Sequence, residues 1–286
     1  MTPVASKTEE DVYKKLGLEF IEPELREDRG EITAAASKKL PELVEVKHIR
    51  GDLHSHTTAS DGVATIEEMA EAAIAKGYQF LAITDHSKSQ VVANGLSAER
   101  LLAHVKAIHK AGAKYKEIKL LAGCEVDILI DGRLDFEDAI LQELDFVVAS
   151  PHISLKQDES KATDRIVRAI ENRYVHIIGH PTGRLIDRRP GLPLKFERIF
   201  AAAKASGTAL EINAGYPRLD LNEQNARAAA EAGVMISINT DAHSTEGLDE
   251  MIYGINVARR AWLTPANIIN CMTISQLTKY LEKKRK

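Results

Sequence analysis

Residues 51–62, GDLHSHTTASDG, place His54 and His56 two positions apart, with Asp61 five residues beyond the second. In an extended strand alternate side chains share a face, so the two imidazoles converge, and converging imidazoles suit a divalent cation. A strand end with two solvent-facing histidines is the plain alternative, and the rest of the chain decides between them. His86, His152, His180 and His243 close later apolar runs (LAITDH, VVASPH, VHIIGH, ISINTDAH), so six of ten histidines sit at such ends. Glu125 ends the run LLAGCE, and Asp241 stands two before His243. The other four differ: His104 and His109 fall in a helical stretch, His176 at a strand start, and His48 before the first strand. Those four are expected to be surface or packing residues.

A mononuclear catalytic zinc takes about three protein ligands. Nine donors therefore imply two or three ions sharing bridging carboxylates, and mixed nitrogen and oxygen ligands suit zinc, manganese or iron. Clustered divalent cations generate hydroxide from bound water at neutral pH and offset charge on a phosphoryl group. The expected nucleophile is a metal-bound hydroxide. No serine or cysteine is needed: Ser55, Ser60 and Ser87 read as supporting hydroxyls, and Cys124 as a core thiol.

Phosphate recognition has its own candidates. HPTGRLIDRRPG sets Arg184, Arg188 and Arg189 directly after a donor histidine, and guanidinium groups bind phosphate oxygens bidentately. EINAGYPRLDL closes a run without a metal donor, leaving Asn213, Tyr216 and Arg218 to hold substrate, Tyr216 by stacking a base or sugar. Lys88, after TDHS, is a weaker candidate.

These residues need a frame that brings them together. From Val46 onward, short β-branched runs alternate with helical stretches, the pattern of βα units on a parallel sheet. Seven runs favour a closed TIM-like barrel over a doubly wound sheet, and a barrel gathers all its strand ends at one mouth. Helices are expected to begin near Thr65, Ser97, Phe136, Lys161, Pro193 and Asn222, with two more over about 247–261 and 265–282. DGRLD at 131–135 reads as a turn.

Residues 1–46 lack this rhythm. They form a charged segment with Pro23 and Pro41, expected either to pack on the domain over 47–286 or to link it to something upstream. The net charge of −4 gives no global attraction to nucleic acid, so phosphate binding must be local or metal-borne. Two cysteines, a polar N-terminus without a secretory pattern and no apolar run of about 18 residues fit a cytoplasmic protein away from membranes.

The series HSHTTASDG, ITDHS, GCEVDI, ASPHISL, IIGHPTG and NTDAH resembles the PHP (polymerase and histidinol phosphatase) domain family over roughly 50–282. The resemblance implies a distorted (β/α)7 barrel and a trinuclear site. One metal, holding the hydroxide, would take His54, His56, Glu125 and Asp241. A second would share Glu125 with His152 and His180, and a third would take Asp61, His86 and His243. The lead-in and the HPTGRLI and LEINAGYPRLDL stretches are similar to the PHP region of bacterial and archaeal family X DNA polymerases. That likeness implies a manganese-favouring 3′–5′ exonuclease with 3′-end cleaning and abasic-site cleavage, partnered by an upstream polymerase module.

Three functions follow as expectations. The first is a phosphodiesterase acting on a DNA 3′ end. The second is a phosphatase of small phosphorylated substrates such as histidinol phosphate or nucleotides. The third is a non-catalytic, metal-stabilised module of a polymerase. An amidohydrolase also uses HxH on its first strand but leaves ITDHS unexplained.

Overall fold

A computed structural model describes residues 7–285. The lead-in forms helices α1 (Glu9–Lys15) and α2 (Glu31–Ala36), which flank a 3-10 turn at Pro23–Leu25. Ile21, Leu25, Ala35 and Leu43 make a small apolar cluster against Trp262. Arg259 Nε donates to Glu24 at 2.6 Å and Arg260 Nε to Glu27 at 2.8 Å, so the segment lies on the domain that follows it.

Seven parallel strands form one sheet in sequence order: β1 (Gly51–Asp52), β2 (Phe80–Ile83), β3 (Lys119–Asp127), β4 (Phe146–Ser150), β5 (Ile177–Ile178), β6 (Ala209–Asn213) and β7 (Ile236–Asn239). Between and after them come α3 (Ile66–Ala75), α4 (Ala98–Gly112), α5 (Asp138–Leu141), α6 (Glu159–Glu171), α7 (Phe196–Ser206), α8 (Glu223–Glu231), α9 (Met251–Arg260) and α10 (Ile274–Lys284). The sheet curls into a nearly closed, distorted (β/α)7 barrel of TIM type. Its seam between β7 and β1 is bridged at Ser55 and Ala242. Below that bridge the Asn270 side-chain amide donates to the carbonyls of Gly51 and Ile238, at 3.0 and 2.7 Å.

Helix entries at Thr65, Ser97 and Asn222 are N-caps whose side chains accept backbone amides three residues on. Other expected starts shift. Asp158 caps α6, so it begins at Glu159 instead of Lys161, and α7 begins at Phe196 instead of Pro193. The helix expected from Phe136 shrinks to the four residues of α5. The stretch expected as one helix over 265–282 opens with two 3-10 turns, and α10 starts only after Thr273. Asn270 lies in the second of those turns and is bonded across the seam, so the chain there follows the barrel and not a helical path.

Period-two alternation sorts the strands. Leu81, Ile83, Val147, Ala149, Leu210 and Ile212 face the helices. Phe80, Ala82, Leu121, Phe146, Val148, Ile177 and Ala209 fill the lower barrel with Leu277 and Leu281 of α10. Higher on the same inward faces the residues turn polar: Leu121 is followed by Glu125 and Asp127, and Ala209 by Glu211 and Asn213, all buried. An apolar plug thus supports a polar upper layer. Cys124, between two inward positions, lies in the outer core as expected, and burial pushes its thiol pKa up.

Candidate metal centre

The nine expected donors meet at the C-terminal ends of the strands. Glu125 is at the middle. Its Oε1 lies 3.4 Å from His54 Nε2, 3.2 Å from His152 Nε2 and 2.9 Å from His180 Nε2, and its Oε2 lies 2.8 Å from His86 Nδ1. Asp241 Oδ1 is 3.0 Å from His56 Nε2 and 3.5 Å from His54 Nε2. Asp61 Oδ1 is 3.3 Å from His243 Nε2 and 3.6 Å from His86 Nε2.

Three sets have their donor atoms within 4.8 Å of one another: His54, His56, Glu125, Asp241; His56, Asp61, His86, His243; and His86, Glu125, His152. The first is the set implied by the resemblance. In the second His56 joins the expected trio. The third differs, with His86 in the place expected for His180, although His180 approaches the same Glu125 oxygen. Two of the nine residues bend the backbone to reach inward, His180 at φ 25° and Asp241 at φ 57°, a region that non-glycine residues rarely adopt.

The donors fit divalent cations. His54 Nε2 and Glu125 Oε2 are buried at the centre without hydrogen-bond partners among the described residues, a state that burial makes costly unless something else binds them. The opposite faces of two rings are occupied: His54 Nδ1 donates to Glu211 at 2.8 Å, and His152 Nδ1 to Asp127 at 2.7 Å. Such carboxylates fix the tautomer and aim Nε2 at a metal. Asn213 Nδ2 donates to Asp241 Oδ2 at 3.0 Å.

The electrostatics agree. Burial alone would raise the Glu125 pKa and lower that of His54. The opposite charges win: His152, His54 and His86 hold Glu125 well below the usual carboxylate range, and Glu211, Asp241 and Glu125 hold His54 well above its ordinary value. His86 rises to about 10 and His152 to about 9, against burial, chiefly through Glu125. His56 falls to about 4 through burial and the neighbouring His86. A field that draws protons onto buried imidazoles also draws divalent cations.

Asp85, Asp127 and Glu211 were absent from the sequence-based site. Asp85 accepts from Thr57 N at 2.9 Å, Ser60 Oγ at 2.5 Å and His104 Nε2 at 2.8 Å, pinning the loop that carries Asp61. His104 is therefore a buried partner of the site's support. His176 is a packing residue, its ring 5.2 Å from Phe146. Ser60 and Ser87 are hydrogen-bonded supports, Ser87 Oγ accepting from Asp127 N at 3.0 Å. The parity that marked Glu125 also marks Asp127 and Glu211, which is the signal that could have found them.

The phosphate candidates divide. Arg218 reaches the mouth, its Nε 3.5 Å from Asp241 Oδ2. Tyr216 stands exposed at the rim. Arg184 is corrected: its Nε donates to the Arg218 carbonyl at 2.9 Å and its terminal nitrogen to the Leu219 carbonyl, so it holds a loop. Arg189 likewise is spent on the Gly183 carbonyl, at 3.0 Å from Nε. Arg188 is exposed. Lys88 places its ammonium 5.3 Å from the Phe136 ring centre and lines neither cavity at the mouth. Asn213 is buried behind Asp241 and acts on that carboxylate.

Residues 52–215, more than half of the chain, match the PHP domain family. The chain belongs to that family. The donor sets above are the part of this barrel suited to hold metal ions. Residues 1–27, within the segment expected either to pack on the domain or to link it to something upstream, match a second family, the DNA polymerase beta thumb. The DNA polymerase/3′-5′ exonuclease PolX of Bacillus subtilis is 44% identical over 96% of this chain, which spans about half (48%) of that relative's length. A probable phosphatase of Thermoanaerobacter sp. is 33% identical over 82% of the chain and 96% of its own length. The crystal structure of histidinol phosphate phosphatase from Lactococcus lactis, complexed with zinc, L-histidinol and phosphate, has the same fold. Its TM-score is 0.56 at 20% identity, covering 74% of this chain and 93% of that one. Among the described residues no helix is long and apolar enough to cross a membrane.

Proposed function

We propose that the protein is a cytoplasmic 3′–5′ exonuclease and 3′-end-processing phosphodiesterase acting on DNA. The phosphoesterase part rests on one observation: Glu125 belongs to two of three overlapping donor sets at an open barrel mouth. All nine donors, His54, His56, Asp61, His86, Glu125, His152, His180, Asp241 and His243, are assigned to two or three divalent ions, zinc, manganese or iron. Bound there, the ions supply water activation and neutralisation of phosphoryl charge.

The chain's own residues prepare that chemistry. Glu211 and Asp127 orient His54 and His152, Asn213 orients Asp241, and Asp85 fixes the Asp61 loop. Arg218, whose Nε lies 3.5 Å from Asp241 Oδ2, is assigned to a phosphate oxygen, which a guanidinium binds well. What favours DNA over a small phosphate ester is the likeness to PolX, which runs through the lead-in as well as the barrel. The thumb match over 1–27 supports a polymerase module as the partner in the intact system.

A second reading, a phosphatase of small phosphorylated substrates, is favoured by the Thermoanaerobacter relative, almost all of whose length is matched, and by the net charge of −4. The test compares turnover of 3′-hydroxyl DNA, 3′-phosphorylated DNA and histidinol phosphate with added Mn²⁺. Release of 5′-mononucleotides from 3′-hydroxyl DNA is expected. Activity confined to small phosphomonoesters would overturn the reading, and metal saturation without turnover of any ester would leave a structural module.

A further inference from the structure

Two cavities flank the donor cluster and share Arg218, Asp241 and His243 at their common edge. The larger, about 520 Å³, lies on the β6–β7 side and is walled by Tyr216, Pro217 and Val63. The smaller, about 260 Å³, lies on the β2–β4 side and is walled by Val92 and Ala93 above His86 and His152. Each cavity therefore has a charged end at the cluster and an apolar wall at the rim.

Those walls are fixed in place yet face solvent. Tyr216 is 72% exposed and Val92 103%, so neither serves the core. The Tyr216 loop is held by its own N–H on Glu250 at 3.1 Å and by the Arg184 guanidinium on the Arg218 and Leu219 carbonyls. The tip carrying Val92 is held by Ser89 Oγ on Asp135 at 2.6 Å and Gln90 Nε2 on Asp127 at 2.8 Å. Holding apolar side chains in water gains nothing for folding, but a rigid apolar wall beside a charged edge is what a flat, weakly hydrated ring binds against.

A phosphate at the shared edge would carry its substituents outward. A monoester has one substituent and would leave one cavity open, whereas a diester has two. We propose that the two cavities are a paired subsite that takes the nucleosides on either side of one phosphodiester. Tyr216 forms the stacking wall on one side and the Val92–Ala93 tip the wall on the other. This deepens the exonuclease reading and rests on it for the position of the phosphate. It makes a dinucleotide the smallest good substrate and a nucleoside monophosphate a poor one.

The test is equilibrium binding of phosphorothioate-linked dithymidine to the Mn²⁺-loaded protein, alongside turnover of ordinary dithymidine. Stacking one base on an aromatic face is worth roughly five- to a hundredfold in affinity. Tyr216→Ala should raise Kd by about tenfold and Tyr216→Phe should leave it within about twofold. Val92→Ser should also raise Kd severalfold. Since these side chains are exposed, an unchanged Tm would confirm the fold of each variant. Hydrolysis with Kd and KM unmoved in either variant would overturn the paired subsite and leave the exonuclease reading standing. Tyr216- and valine-dependent binding without hydrolysis would sustain the subsite and remove that reading.

Discussion

Glu211 and His54 are joined side chain to side chain at 2.8 Å, both wholly buried. Strand β6 contributes no donor to the three sets, yet its inward carboxylate turns the first histidine of β1 toward the cluster. The same carboxylate accepts the His180 N–H at 2.6 Å and the Asn239 amide at 2.8 Å. It thereby ties three neighbouring strand ends to one geometry.

Glu211→Gln keeps the volume and removes the charge that fixes the His54 tautomer. Metal affinity should fall by about 10- to 100-fold, the usual cost of losing such a partner. Retention of Mn²⁺ or Zn²⁺ against a competing chelator measures this, and retention equal to the parent would contradict it.

Asp241→Ala removes a carboxylate 3.0 Å from His56 and 3.5 Å from His54. Turnover should drop at least about 100-fold, a loss of roughly 3 kcal/mol or more in transition-state stabilisation, while Tm changes little. Phosphodiester hydrolysis at saturating Mn²⁺, with bound metal quantified, checks the split. Near-parental turnover would refute the assignment.

Much of this centre was legible because strand ends are marked by composition: an apolar run that closes on His, Glu or Asp points to the mouth of a barrel. What could not be read was which inward carboxylates support others. Glu211 and Asp127 share the parity of the donors, but parity gives a face and not a distance. Arg184 shows the reverse failure. A guanidinium four residues after His180 reads as free for phosphate in the sequence, and in three dimensions it is spent on the carbonyls of Arg218 and Leu219. The region 265–273 misled because Pro265 and Thr273 are both good helix-start residues, while the Asn270 bonds across the barrel seam decide the path.

The metal-free protein should lose stability as pH rises above neutrality. The folded-state pKa of His86 is about 10 and of His152 about 9, against an ordinary 6.5. Both rings thus stabilise the fold fully below about pH 6.5, and that contribution is lost as pH rises through 9 to 10. Thermal unfolding in chelator should show Tm falling by at least about 4 °C between pH 7 and 9.5. Because a cation must displace these protons, its affinity should rise with pH over the same interval. A flat Tm profile would contradict the sign.

His104→Ala removes a partner of the buried Asp85 carboxylate and loosens the loop that presents Asp61. A stability loss of about 1–3 kcal/mol is expected, together with weaker metal binding at the Asp61, His86 and His243 set. His104→Gln, which can still donate to Asp85, should recover part of both. Metal stoichiometry is the decisive reading here, since a purely structural role would lower Tm without reducing the ions bound.

The most direct measurement is anomalous scattering from crystals of the Mn²⁺- or Zn²⁺-soaked protein, recorded at the metal edge. Two or three peaks are expected inside the strand-end cluster, one of them between His54, His56, Glu125 and Asp241, with zinc–nitrogen distances of about 2.0–2.1 Å. Full soaking with no peak among these side chains, or peaks only at exposed surface carboxylates, would contradict the metal assignment.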